Sequence, residues 1–242
     1  MTSKNVTIKS NGYSLSGTIF IPDNKKTKLP AVIFYHGMVS QSKPRYNKRA
    51  EILAENGIAA LTFDFRGCGE SAGKIGELLI SDWFDDAILA FDYLVNQPFI
   101  DKERVGVSGK SFGGYMASLV SAKRNIKSMV LQAPAIYADS WFDKPYLTTE
   151  EFEDERLKYR LSDKASDNEA IRAISKYKNP LLVVGSELDD TCPKNIVEGY
   201  FENCPAKNKK IHWIKGADHP LTQDNWNKEY TDLMTKWFKE TL

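Results

Sequence analysis

The sequence predicts an α/β fold in which helices cover both faces of a mostly parallel central sheet. Two observations predict this class. Strand-like and helix-like segments alternate through most of the 242 residues, and several strand-like segments are continuous apolar runs such as LPAVIFYHG. Such runs are typical of strands that are buried on both faces. A composition of 42% hydrophobic and 27% charged residues favours one folded domain over residues 1–242.

The N-terminal part of the chain is predicted to enter the sheet through a hairpin. Residues 4–9 and 13–21 alternate in polarity, which indicates two antiparallel strands. The apolar run that ends at His36 follows as a central strand. Residues 45–56 are predicted to form a helix that ends at Gly57, and IAALTFDF is predicted as the next buried strand.

The middle of the chain continues the alternation and then interrupts it. Residues 81–96 place apolar side chains at helical spacing, with Ser81 as the predicted N-cap. A short strand over residues 104–108, a helix over 112–122 and the strand KSMVLQAP follow. Residues 135–170 contain many aromatic residues and then an acidic stretch, with no clear strand. We interpret this segment as a cap or lid inserted over the sheet.

The alternation resumes after the insertion. PLLVVG and KKIHWIKG are predicted strands, separated by a helix from residue 193 to about residue 200. A long C-terminal helix follows. The sequence shows no internal repeat and no low-complexity linker that would divide the domain.

Charge and cysteine content exclude several classes of function. Lys plus Arg (33) nearly balances Asp plus Glu (32), so no overall field attracts nucleic acid or an anionic membrane. No run reaches the roughly 18 apolar residues of a membrane span, and the first residues lack a secretory signal, so a cytoplasmic location is expected. Cys68, Cys192 and Cys204 fit reduced thiols, with no disulfide framework and no metal site. The expected partner is a small molecule, and a homodimer is left open.

The candidate nucleophile lies between a predicted strand and a predicted helix. Residues 109–113, GKSFG, fit the pattern G-x-S-x-G in the strand–turn–helix context that the pattern requires. The glycines allow a turn tight enough to present the hydroxyl of Ser111. The N–H of Phe112, at the start of the helix, is predicted to point toward an oxyanion.

A serine hydroxyl needs a base, and the chain contains three histidines. His36 ends a central strand, and His212 lies within a strand, where we expect it to pack on one face. His219 lies in a polar loop after the last strand and is the predicted base. An imidazole in turn needs a carboxylate, and Asp189 and Asp190 follow the buried strand PLLVVG. Asp189 is the preferred acid, with Asp190 as the alternative.

The order serine, acid, histidine, with each member directly after a strand, resembles the α/β-hydrolase family over nearly the full chain. In that family a His-Gly pair ends the strand that supplies the second oxyanion donor. The pair here is His36-Gly37, which nominates the N–H of Met38. DDTCP, starting at Asp189, resembles the family pattern D-x-x-V-P, in which the first aspartate is the acid. GADH, ending at His219, resembles G-A-x-H.

Two other features bear on this resemblance. Residues 64–71, DFRGCGES, resemble the family loop D-x-R-G-x-G-x-S, for which we expect a structural role. Lys110 departs from the family, since related esterases often have an uncharged residue before the nucleophile. The electrostatics near the serine are therefore expected to differ.

The resemblance is to small-capped carboxylesterases, acylglycerol lipases and cinnamoyl esterases, and it implies a serine esterase without a cofactor. Ser111 would attack a carboxylic ester with a small to medium acyl or aryl group, His219 would transfer the proton, and Asp189 would orient His219 through an acyl-enzyme cycle. Trp141 and Phe142 are candidate pocket residues.

Two alternatives stay open from the sequence. A thioesterase or acyltransferase would use the same three side chains, and a non-catalytic receptor would use the same fold to bind a ligand. Peptide cleavage is less favoured, because relatives that cleave peptides usually add a large substrate-filtering domain.

Overall fold

The computed structural model describes residues 1–23, 28–38, 44–146 and 148–242, and it confirms the predicted α/β architecture. The strands are β1 (Thr2–Ser10), β2 (Tyr13–Ile21), β3 (Leu29–Tyr35), β4 (Ala59–Phe63), β5 (Ile100–Lys110), β6 (Ser128–Gln132), β7 (Leu181–Ser186) and β8 (Lys209–Ile214). The helices are α1 (Pro44–Glu55), α2 (Ile80–Val95), α3 (Phe112–Ser121), α4 (Glu150–Arg160), α5 (Glu169–Ile174), α6 (Lys194–Asn203) and α7 (Asp224–Thr241).

Within these described ranges, eight strands form one sheet in the order β1-β2-β4-β3-β5-β6-β7-β8. The predicted hairpin is confirmed, because β1 and β2 pair in antiparallel fashion. Asn11 and Gly12 connect them with φ values of 43° and 85°, the left-handed backbone that two-residue hairpin turns require. β2 is also antiparallel to β4. The other six strands, β3 to β8, are parallel to one another.

Helices cover both faces of the sheet and produce two apolar layers. Residues of α1 and α7, including Leu53 and Phe238, pack on one face. Residues of α2, α3 and α6, including Trp83 and Met116, pack on the other face. The hydroxyl of Ser108 in β5 lies 3.1 Å from that of Tyr230 in α7. Because side chains alternate along a strand, every second residue of β5 counted from Ser108 faces the layer of α1 and α7.

The start of α2 differs from the prediction. The helix begins at Ile80, and the carboxylate of Asp82 accepts a hydrogen bond of 2.9 Å from the N–H of Leu79. The prediction of Ser81 as the N-cap was therefore wrong. The carboxylate of Asp82, inside the first turn, accepts the hydrogen bond of the backbone N–H that precedes the helix. The N–H of Ser81 donates to the carbonyl of Phe142, so this helix end also contacts the segment after β6.

Helix α4 lies in a segment for which no regular element was predicted. The hydroxyl of Thr149 caps it by accepting from the N–H of Phe152. Its first turn is acidic and its last turn contains Lys158 and Arg160, which complements the helix dipole at both ends. The helix has no continuous apolar stripe, so periodicity alone could not predict it.

The loop after β4, predicted to be structural, is held by a buried ion pair. Arg66 and Asp86 are 2% and 0% exposed, and the guanidinium donates to Asp86 Oδ1 through Nε at 2.9 Å and Nη2 at 2.6 Å. The backbone N–H of Arg66 donates to the other oxygen at 3.0 Å. Ser10 Oγ also donates to Asp86, which joins the hairpin to α2.

Among the helices of the described residues, none combines the length and the apolar character that crossing a membrane requires.

The substitution Asp86→Ala should lower the free energy of unfolding by about 3 kcal/mol, because the buried guanidinium of Arg66 loses its buried partner and keeps as a counter-charge only Asp82, which lies 3.1 Å away and is 30% exposed. Urea unfolding followed by circular dichroism measures this. Asp92→Ala is the matched control, since Asp92 pairs with Arg124 at a position where both side chains are about one-third exposed; its expected cost is about 1 kcal/mol or less. Equal losses in the two variants would contradict the role of the buried pair.

Candidate active site

The turn between β5 and α3 holds Ser111 in a strained backbone conformation. Its φ and ψ are 51° and −116°, a region that residues with a side chain rarely adopt. A Cβ on Gly109 would lie 2.4 Å from the carbonyl oxygen of Gly113, and a Cβ on Gly113 would lie 2.0 Å from that of Tyr35. Gly109 is therefore required for the close approach of α3 to the end of β5, and Gly113 for that of α3 to the end of β3. This is the local geometry that the GKSFG pattern predicts.

His219 and Asp189 lie in direct contact after the last two strands. His219 Nδ1 is 2.7 Å from Asp189 Oδ2, and the two side chains are 13% and 3% exposed. Asp189 Oδ1 accepts from the backbone N–H groups of Thr191 at 2.9 Å and Cys192 at 2.8 Å. Asp190 is exposed. Of the two aspartates considered from the sequence, Asp189 is the one that contacts the imidazole.

The hydroxyl of Ser111 lies beside the thiol of Cys192 in this conformation. Among the hydrogen bonds of the described residues, none joins Ser111 to His219. Burial raises the pKa of the Cys192 thiol to about 11, and a hydrogen bond with Ser111 acts in the opposite direction. The thiol is thus protonated near neutral pH. Cys192 connects Ser111 with the Asp189–His219 pair, because its side chain interacts with Ser111 and its backbone N–H donates to Asp189.

Two backbone amides near Ser111 are available as donors. In the described part of the chain, neither Met38 N–H nor Phe112 N–H donates to another residue. A Cβ on Gly113 would lie 2.8 Å from the carbonyl oxygen of His36, so the first turn of α3 is in contact with the segment that leads to Met38. This arrangement fits the two amides nominated as oxyanion donors.

The other two histidines are held by structural contacts. His36 is buried, its Nε2 accepts from the N–H of Phe65 at 2.9 Å, and its Nδ1 lies 2.8 Å from the carbonyl of Gly37. Burial lowers the pKa of His36, so the ring is neutral and joins the ends of β3 and β4. His212 is 31% exposed and contacts Glu229 of α7 at 2.7 Å. It is therefore less buried than the expected packing role implies.

The predicted pocket residues lie in the segment between β6 and β7. Trp141 packs against Phe152 and Tyr159 with ring centroids 5.2 and 5.3 Å apart. Phe142 packs on Phe84 and lines a cavity of about 850 Å³ whose lining residues do not include Ser111. Neither residue is placed against the serine by these contacts.

Other side chains of this segment lie nearer to the nucleophile turn. The rings of Tyr137 and Tyr146 contact Phe112 with centroids 5.6 and 6.4 Å apart. Arg160 lies over the ring of Tyr137 and donates 2.8 Å to the carbonyl of Thr191. No sequence pattern singled out Tyr137, Tyr146 or Arg160. For Arg160, the available signal is its spacing of four residues from Arg156, which places both arginines on one face of a helix.

Lys110 is buried between the nucleophile strand and α1. Burial, together with the nearby charges of Arg45 and Arg49, lowers its pKa from 10.5 to about 8, whereas Asp189 acts in the opposite direction. The expected change in electrostatics at this position is therefore present in the structure. A buried ammonium with a lowered pKa destabilises the folded protein.

A family model described as the prolyl oligopeptidase family matches residues 44–242. The chain belongs to this family. It is 23% identical to the uncharacterized peptidase YuxL of Bacillus subtilis over 252 residues, covering 96% of this chain and 38% of the relative. It is 22% identical to a probable dipeptidyl-peptidase 5 of Aspergillus flavus, covering 95% of this chain and 34% of the relative. The chain thus spans well under half the length of these curated relatives.

Among solved structures, Est1E from Butyrivibrio proteoclasticus with bound ferulic acid is similar to this chain, with a TM-score of 0.77 and 21% identity. The similarity covers 98% of each chain. It confirms the predicted α/β-hydrolase fold. The match to the prolyl oligopeptidase family also makes a peptidase a candidate beside the esterase predicted from the sequence.

The substitution Lys110→Met should raise the free energy of unfolding at pH 7, by about 3 kcal/mol if the whole pKa shift is recovered. In the wild type, the unfolded chain keeps its proton up to about pH 10.5, whereas the folded chain releases it near pH 8. The free energy of unfolding of the wild type therefore rises between about pH 8 and pH 10.5. The difference in free energy of unfolding between Lys110→Met and the wild type should shrink over the same range. Urea unfolding at pH 7, 8.5 and 10 measures the difference.

Lys236→Met, at an exposed position of α7, is the control for the substitution itself. A difference between Lys110→Met and wild type that stays constant from pH 7 to pH 10 would contradict the buried charge.

Proposed function

We propose that the protein is a serine hydrolase that cleaves carboxylic esters with small to medium acyl or aryl groups. The observation that supports this most is the 2.7 Å contact between His219 and Asp189. The two residues follow the carboxyl ends of β8 and β7, and the strained turn that presents Ser111 follows the carboxyl end of β5. An acid and an imidazole in this relation polarise a serine hydroxyl placed within reach of the imidazole.

The proposed reaction begins when the Ser111 hydroxyl turns from the thiol of Cys192 toward His219. Nδ1–H of His219 donates to Asp189, which leaves Nε2 as the base. Ser111 Oγ then attacks the ester carbonyl while Nε2 takes the hydroxyl proton. The tetrahedral oxyanion accepts hydrogen bonds from the N–H groups of Met38 and Phe112.

The two remaining steps return the enzyme to its starting state. The carbon–oxygen bond to the alcohol breaks as His219 gives its proton to the leaving alkoxide, and an acyl-Ser111 ester remains. Water then attacks this ester, giving its proton to His219, and the acid is released as Ser111 recovers its proton. Each step of this cycle is carried by side chains, by the two backbone amides and by water.

The charges under the cap favour esters over peptides with a free amino terminus. Arg156 and Arg160 are 2% and 3% exposed, while the acidic residues of α4 are exposed. A dipeptidyl-peptidase would need a buried carboxylate to bind the ammonium group of its substrate. Arg156 pairs with Glu153, whereas Arg160 has no carboxylate partner among the described residues. The buried guanidinium of Arg160 beside Tyr137 suits a neutral or acidic acyl or aryl group better.

A peptidase is the second candidate, because the chain belongs to the prolyl oligopeptidase family and relatives are named as peptidases. A thioesterase or an acyltransferase would use the same three side chains with a different leaving group or acceptor. A ligand receptor would keep the fold and bind without turnover.

A fluorophosphonate probe should label Ser111, and the label should be lost in Ser111→Ala. The protein should hydrolyse p-nitrophenyl acetate, p-nitrophenyl butyrate and methyl ferulate, with kcat/KM at least about 10³-fold lower in Ser111→Ala. Ser121→Ala, at the other end of α3, is the matched control and should keep its activity. Dipeptidyl p-nitroanilides and acyl thioesters complete the substrate panel.

Each outcome of this panel supports one candidate. Faster cleavage of the anilides than of the esters would replace the esterase by the peptidase. A preference for thioesters would indicate a thioesterase. Absence of both labelling and turnover in folded protein would favour a receptor.

The substitution Asp189→Asn should lower kcat by about 10³- to 10⁴-fold with the fold intact, because an amide facing Nδ1 favours the wrong imidazole tautomer. Asp190→Asn is the matched control at the adjacent exposed position, and its kcat should stay within about threefold of wild type. Steady-state kinetics with p-nitrophenyl acetate measures both. A larger loss in the Asp190 variant would reassign the acid.

A further inference from the structure

A group of hydrogen-bond donors lies at the ends of β5 and β6, on the face of the sheet covered by α1 and α7. Lys110 and Gln132 are direct neighbours in the pairing of β5 with β6, so their side chains lie side by side on one face. Arg49 of α1 donates through Nη1 to Gln132 Oε1 at 3.3 Å. The three side chains form what we call the donor cluster.

Two members of the donor cluster lack an acceptor. Lys110 is 6% exposed, and no described residue pairs with its ammonium group. Gln132 is 1% exposed, and its Nε2 is buried without a hydrogen-bond partner. Buried polar groups are nearly always hydrogen-bonded, and these two donors are adjacent. The pair therefore indicates an acceptor that the described residues do not supply.

The surroundings of the donor cluster are positively charged. Arg49 donates to Gln132 and Asn227 and stacks on the ring of Tyr230 at 4.4 Å. Arg45 donates to the carbonyl of Leu221. In the described residues neither arginine forms an ion pair with a carboxylate. Several buried or partly buried positive charges without a counter-charge are costly, so an anion would stabilise them.

The nearest carboxylates have their oxygens engaged elsewhere. Asp189 accepts from His219 and from the N–H groups of Thr191 and Cys192. Asp218 accepts from the backbone N–H and the hydroxyl of Thr222. Residues 39–43, which lie outside the described part, have the sequence VSQSK and contain no acidic side chain. Neither carboxylate forms an ion pair with the donor cluster, so an anion from solution would add the close counter-charge that the cluster lacks.

We propose that a small monovalent anion of the halide type binds in the donor cluster between Lys110, Gln132 and Arg49. The ammonium of Lys110 and the amide Nε2 of Gln132 donate to it, and the guanidinium of Arg49 supplies further positive charge. The site is separate from the proposed oxyanion donors, since Lys110 lies on the face covered by α7 and the amides of Met38 and Phe112 lie at the strand ends.

Crystals of the whole protein grown with sodium bromide provide the direct test. Anomalous diffraction at the bromine edge should place a bromide within about 3.5 Å of Lys110 Nζ and Gln132 Nε2, a hydrogen-bonding distance for this larger ion. The peak should be absent in Lys110→Met and retained in the control Lys236→Met. An ordered water in the cluster with no bromide would overturn the proposal. Bromide only at exposed lysines, an adventitious ion only, would overturn it as well.

Thermal unfolding in solution gives a second test that needs no crystal. Replacing 500 mM potassium gluconate by 500 mM potassium chloride should raise the Tm of the wild type and of Lys236→Met by about 4 °C. Gluconate matches the ionic strength but is too large for the cluster. An equal rise in Lys110→Met would contradict the site. Neither measurement uses turnover, so both stand apart from the proposed hydrolysis.

Discussion

The candidate site depends on one close approach between two backbone segments. The first turn of α3 lies so near the end of β3 that Gly113 has no room for a Cβ, and Ser111 takes a positive φ to enter the helix. The same approach brings the amide of Phe112 toward the segment that contains Met38. The turn that presents Ser111 and the placement of these two amides therefore depend on a single contact, whose steric requirements only glycine meets.

The second requirement is a fixed carboxylate. Backbone N–H groups of its own loop hold one oxygen of Asp189, and the other oxygen is left to His219. The carboxylate is nearly buried, so its charge acts strongly on the imidazole. Lys110 is also buried, and its burial is a cost that the folded state carries near neutral pH. The site thus combines a well-satisfied anion with a poorly satisfied cation.

The sequence predicted the parts of this structure that follow from periodicity and from glycine spacing. The parallel sheet, the N-terminal hairpin and the β5–α3 turn are such parts. It did not predict α4, whose stability comes from a cap at Thr149 and from charges at its ends, with no apolar stripe. It also could not predict that Ser111 lies beside Cys192, because a side-chain rotamer leaves no signal in the spacing of residues. Arg160 was missed because its contacts join α4 to two loops that are distant in sequence.

The outer strands of the sheet have a consequence for association with other copies. β1 and β8 are the two edges, and each has exposed lysines, Lys4 and Lys9 on β1 and Lys210 on β8. Joining another strand to either edge would strip water from these ammonium groups and bring like charges together, which is a known way for proteins to prevent fibrillar growth. Contacts between copies of this chain would consequently have to form through helical surfaces.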